Sequence, residues 1–112
     1  MADKLAVAKG MLDVLVLRAL KLAPMHGFEV TEWLEERSDQ RIWLEDAAVY
    51  QALYRLESRG LIAASWGTTI NNRRARYYKL TKAGAEELRA ETTRWLSYTD
   101  AIVALLSPDH GR

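Results

Sequence analysis

Near the start of the chain, residues 11–23 read MLDVLVLRALKLA, a run in which only Asp13, Arg18 and Lys21 carry charge. Helix-forming residues dominate it and Pro24 closes it, so it predicts a helix that is apolar on more than one face. Such a helix cannot lie on a surface. It needs at least two partner elements to cover it, and the rest of the chain has to supply them. With 112 residues the chain is one ordinary domain with a single modest core. Its 49% hydrophobic and 28% charged content is the balance of a soluble folded domain and not of a disordered one.

The partners follow in order. HGFEVTEWLEERS sets Phe28, Val30, Trp33 and Leu34 at near-helical spacing with glutamates between them, which predicts a second, amphipathic helix. RIWLED is a short apolar run that suits a small strand, and Asp46 stands where it can cap a third helix. In AAVYQALYRLESRG the 3.6-residue period groups Val49, Ala52, Leu53 and Leu56 on one face. Ala47, Gln51, Tyr54, Arg55 and Ser58 fall on the other face, Tyr50 and Arg59 on the flanks, and Gly60 stops the helix. The period then changes. LIAASWGT and ARYYKLT carry the β-branched and aromatic residues of a hairpin, joined by a polar loop with Gly67, Asn71 and Asn72. A last helix starts at Thr81 as cap and runs to Ser107, before Pro108. Along it Leu88, Thr92, Trp95, Thr99, Ile102 and Leu106 recur at spacings of four and three, a seam that wants a partner helix.

Three helices and then a hairpin is the order of a winged helix-turn-helix. The fold class expected is mainly α with a small β-hairpin: a winged helix-turn-helix over residues 1–80 and a C-terminal dimerisation helix over 81–112. The charge distribution suits it. NNRRARYYKLT holds four cations and no acid, whereas residues 29–46 hold seven acids against Arg37 and Arg41. A positive pole on a compact surface is what phosphate backbones select, while the acidic run reads as a solvated helix face. The second helix of such a pair enters the major groove, where Gln reads adenine and Arg reads guanine through paired hydrogen bonds and Tyr hydroxyls find phosphates. Candidate DNA-binding residues are therefore Tyr50, Gln51, Tyr54, Arg55 and Ser58 on the third helix and Arg73, Arg74 and Arg76 on the wing. The wing arginines suit either the phosphate backbone or a narrow minor groove. Of Tyr77 and Tyr78, alternation on the strand sets one against the core and the other beside a base. The partners expected are double-stranded DNA with a roughly palindromic site and a second copy of the chain. The alternative is a winged-helix module that binds protein and no DNA, but such a module has no need of a cationic hairpin tip.

Other chemistry finds little support. The chain has no cysteine, and the spacing of acid and lysine in MADKLAVAKG does not suit a signal peptide. No apolar run approaches the ~20 residues that span a bilayer, so a cytoplasmic protein is expected. His26 and His110 lack a second ligand at a metal-binding spacing, and His26 fits a structural cap at a helix start. The pairs Glu35–Glu36 and Glu86–Glu87 point apart on helices. An enzyme, a metal site and a cofactor are not expected. Among the four tryptophans, Trp33 and Trp66 read as core or core-edge residues and Trp43 sits in the short apolar run. Trp95 lies mid-way along the last helix, where it either packs in an interface or stacks a planar ligand. Leu88, Trp95, Ile102 and Leu106 are the candidate residues of a dimer and effector interface.

The runs GMLDVLVLRAL, PMHGFEV, VYQALYRLESRGLIAASWG and NNRRARYYKLTKAGAEEL together resemble the PadR family of bacterial transcriptional regulators, over residues 9–106. The most specific parts are Tyr50, Ala52, Leu53, Leu56 and Glu57 on the third helix and the stretch RRARYYKLT. The resemblance implies a winged-helix DNA-binding domain followed by a single dimerisation helix, acting as a repressor released by an effector. In some relatives that effector is a small aromatic molecule held between subunits. The chain departs from the family pattern at the third helix, with Ala47-Ala48 in place of Gly-Ser and Gln51 in place of Pro. The lost serine removes a phosphate contact at a helix N-terminus. The glutamine adds a base contact, so the operator differs while the fold does not.

Overall fold

The computed structural model of the chain describes residues 5–8 and 10–109. Along it run β1 (Leu5–Ala6), α1 (Leu12–Leu22), β2 (Met25–His26), α2 (Gly27–Arg37), β3 (Ile42–Trp43), α3 (Asp46–Ser58), β4 (Ile62–Thr68), β5 (Arg74–Leu80) and α4 (Lys82–Leu106). The apolar α1 is covered from several sides, by α2, α3, α4 and β5. Val16 and Ala19 are completely buried and Val14, Leu17 and Leu20 nearly so.

Each partner offers α1 an apolar face fixed by local chemistry. At the start of α2 a reciprocal capping box forms: the Glu29 N–H donates to His26 Nδ1 at 3.2 Å, and the His26 N–H donates to Glu29 Oε1 at 3.1 Å. His26 is the structural cap expected. From there Val30, Thr31 and Leu34 turn inward, while Phe28 lies off that face and is exposed. On α3, Val49, Ala52, Leu53 and Leu56 are fully buried, as the 3.6-residue period requires. Asp46 does not cap this helix. Glu45 occupies the cap position and makes no side-chain bond, so Asp46 is the first helical residue and acts only as a first-turn charge on the helix dipole. Gly60, with φ +74°, ends the turn after α3 in the left-handed region that glycine adopts without strain.

Two small sheets complete the domain among the described residues. β1 pairs parallel with β3, at Leu5–Ile42 and Ala6–Trp43. The other sheet has the order β2-β5-β4, with the hairpin antiparallel and the short β2 added outside it at Met25–Tyr78 and His26–Tyr77. The sequence reading anticipated the hairpin and β3 but neither β1 nor β2. A two-residue strand has no periodicity of its own: β2 exists because the long β5 offers it an edge, and β1 and β3 exist only as each other's partner.

α4 begins at Thr81, whose Oγ1 accepts from the Gly84 N–H at 3.0 Å and donates to the Gly60 carbonyl at 2.7 Å. Gly84 lies directly against the Leu61 backbone, and Leu88 is buried in the same core as α1 and α3. The packed unit therefore runs past residue 80, because the first two turns of α4 close it. Past Trp95 the helix projects from the body of a molecule that measures 61 × 34 × 20 Å, with Leu96, Tyr98, Val103, Leu105 and Leu106 exposed. Residues 1–4 and 110–112, His110 among them, lie outside the described residues.

A methyl group at residue 84 would collide with the Leu61 carbonyl oxygen, which is backbone and cannot swing aside. Gly84→Ala is expected to destabilise the domain by about 1–3 kcal/mol despite the better helix propensity of alanine. A urea midpoint equal to or above that of the parent would show that the α4–hairpin junction is looser than this packing requires.

Candidate nucleic-acid interface

The outward face of α3 carries Gln51, Tyr54, Arg55 and Ser58, all exposed, with Tyr50 on its flank half-exposed. Tyr54 is 74% exposed, so its ring contributes nothing to the core. Arg55 is less available than its position suggests. Its guanidinium grips Asp13 of α1 with two hydrogen bonds, from Nη2 at 2.6 Å and from Nε at 3.4 Å. The Asp13 carboxylate keeps the Arg55 pKa above its usual value, through hydrogen bonding first and charge attraction second. Asp13 sits 42 residues away in the chain, so no local pattern announces the pair.

The wing has two faces with different tasks. Cross-strand pairing puts Leu80, Tyr78, Arg76 and Arg74 opposite Ile62, Ala64, Trp66 and Thr68 on one face. Near the base this face is apolar: Ile62 and Tyr78 are buried, and desolvation raises the Tyr78 pKa. Towards the tip the strands outrun the helices, and the same face turns cationic. Arg76 Nη2 bonds Glu57 Oε2 of α3 at 2.8 Å, and the Arg74 guanidinium lies 4.3 Å above the Trp66 ring. Of the two placements expected for Trp66, core or core edge, the core is excluded. Trp66 is 60% exposed, because its side of the hairpin has left the core and finds an arginine there instead.

On the back face lie Tyr77 and Lys79. Tyr77 crosses Gly67, where any Cβ would strike its ring, and meets His26 edge-on at 5.4 Å. Tyr78 is therefore the tyrosine in the core, and Tyr77 packs within the protein on the other side. Lys79 shares that back face, so the cationic front consists of Arg74 and Arg76 with Arg73 just beyond the strand. Among the described residues Arg73 forms no ion pair, and neither does Arg74.

Between the start of α2, the flank of α3 and the wing runs a cleft of about 270 Å³ lined by His26, Gly27, Tyr50, Trp66, Arg74 and Arg76. The outer end of the Tyr50 ring lies directly over Gly27, where a Cβ would force the ring to move. His26, Gly27 and Trp66 were missed as site residues because the cleft brings together three segments far apart in sequence. Glycine at the first position of a helix, beside an aromatic cap, is the one local sign.

The expected α4 seam is divided. Leu88 is buried in the domain's own core, and Trp95 is half-buried against that core, 3.9 Å from where a Cβ on Gly10 would stand. The Trp95 indole N–H is buried and makes no well-formed hydrogen bond among the described residues, although the Glu91 carboxylate one turn back, held mainly by Arg94, is near enough to be stabilised by it as well. Ile102 is half-buried and Leu106 exposed. The apolar positions left open include Leu96, Val103 and Leu106: Leu106 belongs to the expected seam, while Leu96 and Val103 each follow a seam position by one residue, about 100° further round the helix. Among the described residues no cluster of His, Cys, Asp and Glu could hold a metal ion, and no helix is long and apolar enough to cross a membrane.

The polar outer face of α3 beside a cationic hairpin defines a winged helix-turn-helix. Residues 16–90 match the model of the transcriptional regulator PadR-like family, and the chain belongs to that family. A PadR family transcription regulator from Clostridium difficile is 27% identical, covering 88% of this chain and 100% of its own, with a TM-score of 0.75. One from Eggerthella lenta is 30% identical over 90% of this chain and 86% of its own, with a TM-score of 0.74. Bacillus subtilis PadR, solved in complex with operator DNA, shares the fold at 21% identity and a TM-score of 0.67, over 76% of this chain and 48% of its own.

Arg55 is half-exposed, so its pair with Asp13 is screened by water and contributes only about 0.2–1 kcal/mol. A double-mutant cycle of Arg55→Ala and Asp13→Ala in urea should return a coupling of that size, shrinking as salt is added. A coupling of zero at low salt would leave Arg55 uncommitted on the outer face of α3.

Proposed function

We propose that the protein is a dimeric transcriptional repressor that grips a near-palindromic DNA operator through α3 and the wing, and that an effector releases it. One observation carries the reading: an outward polar helix face stands beside a hairpin in a stretch that has no carboxylate between Glu57 and Glu86. Arg73 and Arg74 are the phosphate contacts, since neither is neutralised by an acid among the described residues. Gln51 is the base reader, with Tyr50 and Tyr54 hydroxyls on the flanking phosphates and Ser58 at the helix end. Arg55 and Arg76 have a different role from their neighbours. Each is held by a carboxylate of its own chain, so they fix α3 against α1 and the wing against α3, and Arg55 reads a base only by exchanging Asp13 for it.

The operator complex of Bacillus subtilis PadR supports DNA as the partner. Exposed Leu96, Val103 and Leu106 support a second copy of the chain, since an apolar stripe on a projecting helix is stable only when covered. A two-fold dimer would present two copies of α3 to half-sites about 34 Å apart. The buried indole N–H of Trp95, which makes no well-formed hydrogen bond among the described residues, supports an effector site there: a planar aromatic ligand with an acceptor would satisfy it better than the nearby Glu91 carboxylate does. Release requires that the effector bind more tightly to the arrangement that misaligns the half-sites. Such a regulator works in the cytoplasm, where its operator is.

Three measurements test this. Arg73→Ala and Arg74→Ala should weaken binding equally for operator and random duplex and reduce the salt slope by about one unit each. Unchanged slopes in both would take the wing out of the interface. Gln51→Ala should cost roughly 1–3 kcal/mol on the preferred duplex and leave non-specific binding intact; parallel losses on both would reassign it to the backbone. Leu96→Glu with Val103→Glu should give a folded monomer in sedimentation that binds the operator poorly, whereas a persistent dimer would place the interface elsewhere.

A further inference from the structure

At the tip of the wing stands an isoleucine that the protein does not use. Ile70 is fully exposed, the most solvent-exposed of the large hydrophobic residues described. It is not on a floppy loop. The Asn72 N–H bonds the Thr69 carbonyl at 2.9 Å, the Thr69 N–H bonds the Arg73 carbonyl at 2.8 Å, and the Arg73 N–H bonds Thr69 Oγ1 at 3.1 Å. Asn72 takes φ +59°, the left-handed residue that closes a three-residue hairpin loop. Three hydrogen bonds and a committed backbone thus hold Ile70 at the apex, where turn chemistry favours small polar residues.

The surroundings select what would cover it. Residues 58–85 contain six cations and no carboxylate; Arg59 and Arg76 are paired with Glu87 and Glu57 and Lys79 lies on the back face, so beside the tip Arg73 and Arg74 are the cations with no ion pair among the described residues. Asn71 and Asn72 follow Ile70 in the loop with amide donors and acceptors. A cationic arm with amides and one apolar point suits a DNA minor groove: cations meet phosphates, amides meet the acceptors of A·T pairs, and the apolar point presses on a base step. We infer that Ile70 is an apolar wedge that enters the minor groove flanking each half-site, making affinity depend on how easily the base step it meets unstacks. The inference rests on the DNA reading above and adds a determinant of specificity that makes no hydrogen bond. Flexible pyrimidine–purine steps, TA above all, would be preferred there over stiff A-tracts.

The test uses the full chain and a duplex recovered by the parent protein from a randomised pool. Variants of that duplex carry TA or AA at each flanking step, and end-labelled versions report bending by energy transfer. The parent should prefer TA at one position per flank by about tenfold, equivalent to about 1.4 kcal/mol, and bend that duplex more. Ile70→Ser should abolish the preference and the extra bend while keeping the fold by circular dichroism and the salt slope, since no phosphate contact is lost; Ile70→Leu should retain both. Step preference and bend unchanged in Ile70→Ser would overturn the inference and leave the DNA reading standing, as would a parent protein indifferent to the flanking step. A parent that recovers no duplex at all would instead overturn the DNA reading, and the inference with it.

Discussion

The covering of α1 is the constraint on which the rest depends. A helix with so little polar surface has no stable position at the edge of a small domain, because exposing its side chains would forfeit about 25 cal/mol for each Å² left in water. α2, α3, the hairpin base and the first turns of α4 are each placed by it. α3 in particular spends Val49, Ala52, Leu53 and Leu56 on this packing. Its opposite face is thereby free of structural duty and presented as a rigid polar surface. The candidate site exists because the core takes up one side of α3 and leaves the other polar and exposed.

Electrostatics then fixes the angles that packing leaves soft. Arg55–Asp13 ties α3 to α1, and Arg76–Glu57 ties the wing to α3. As exposed pairs they add little stability. Their effect is on geometry: two struts, one on each side of α3, restrict how helix and wing can tilt relative to each other. The cost is a division of labour among the arginines. Those with a carboxylate at hand become parts of the frame, whereas Arg73 and Arg74 form no ion pair among the described residues.

Much of this was legible in the sequence, and the boundary between legible and hidden is physical. Short-range periodicity revealed α1, the buried face of α3, the hairpin, and the caps at His26 and Thr81, since each depends on residues within one or two turns. What depended on distant segments was hidden. β2 exists only because β5 offers an edge, and Arg55 is paired with a residue 42 positions away. Trp66 reads as core or core edge from its type, and nothing local in the sequence says where along β4 the core ends. Leu88 and Trp95 looked like a free seam for the complementary reason: a helix period does not tell whether a face is covered by the same chain. Asp46 was misread by one position, a slip that helix ends commonly allow.

The junction at Gly84 has a mechanical meaning. There α4 touches the Leu61 backbone with no side chain between them, so the helix is clamped to the hairpin base at one end and bare at the other. From Leu88 to Leu106 it extends about 27 Å at 1.5 Å per residue. Measured from the clamp at Gly84 the arm is about 33 Å, so a tilt of only about 5° there moves its far end by about 3 Å. Run in reverse, the same lever turns a coarse displacement at the distal end into a fine rotation of the body, and it does so only while the pivot stays tight enough to transmit torque.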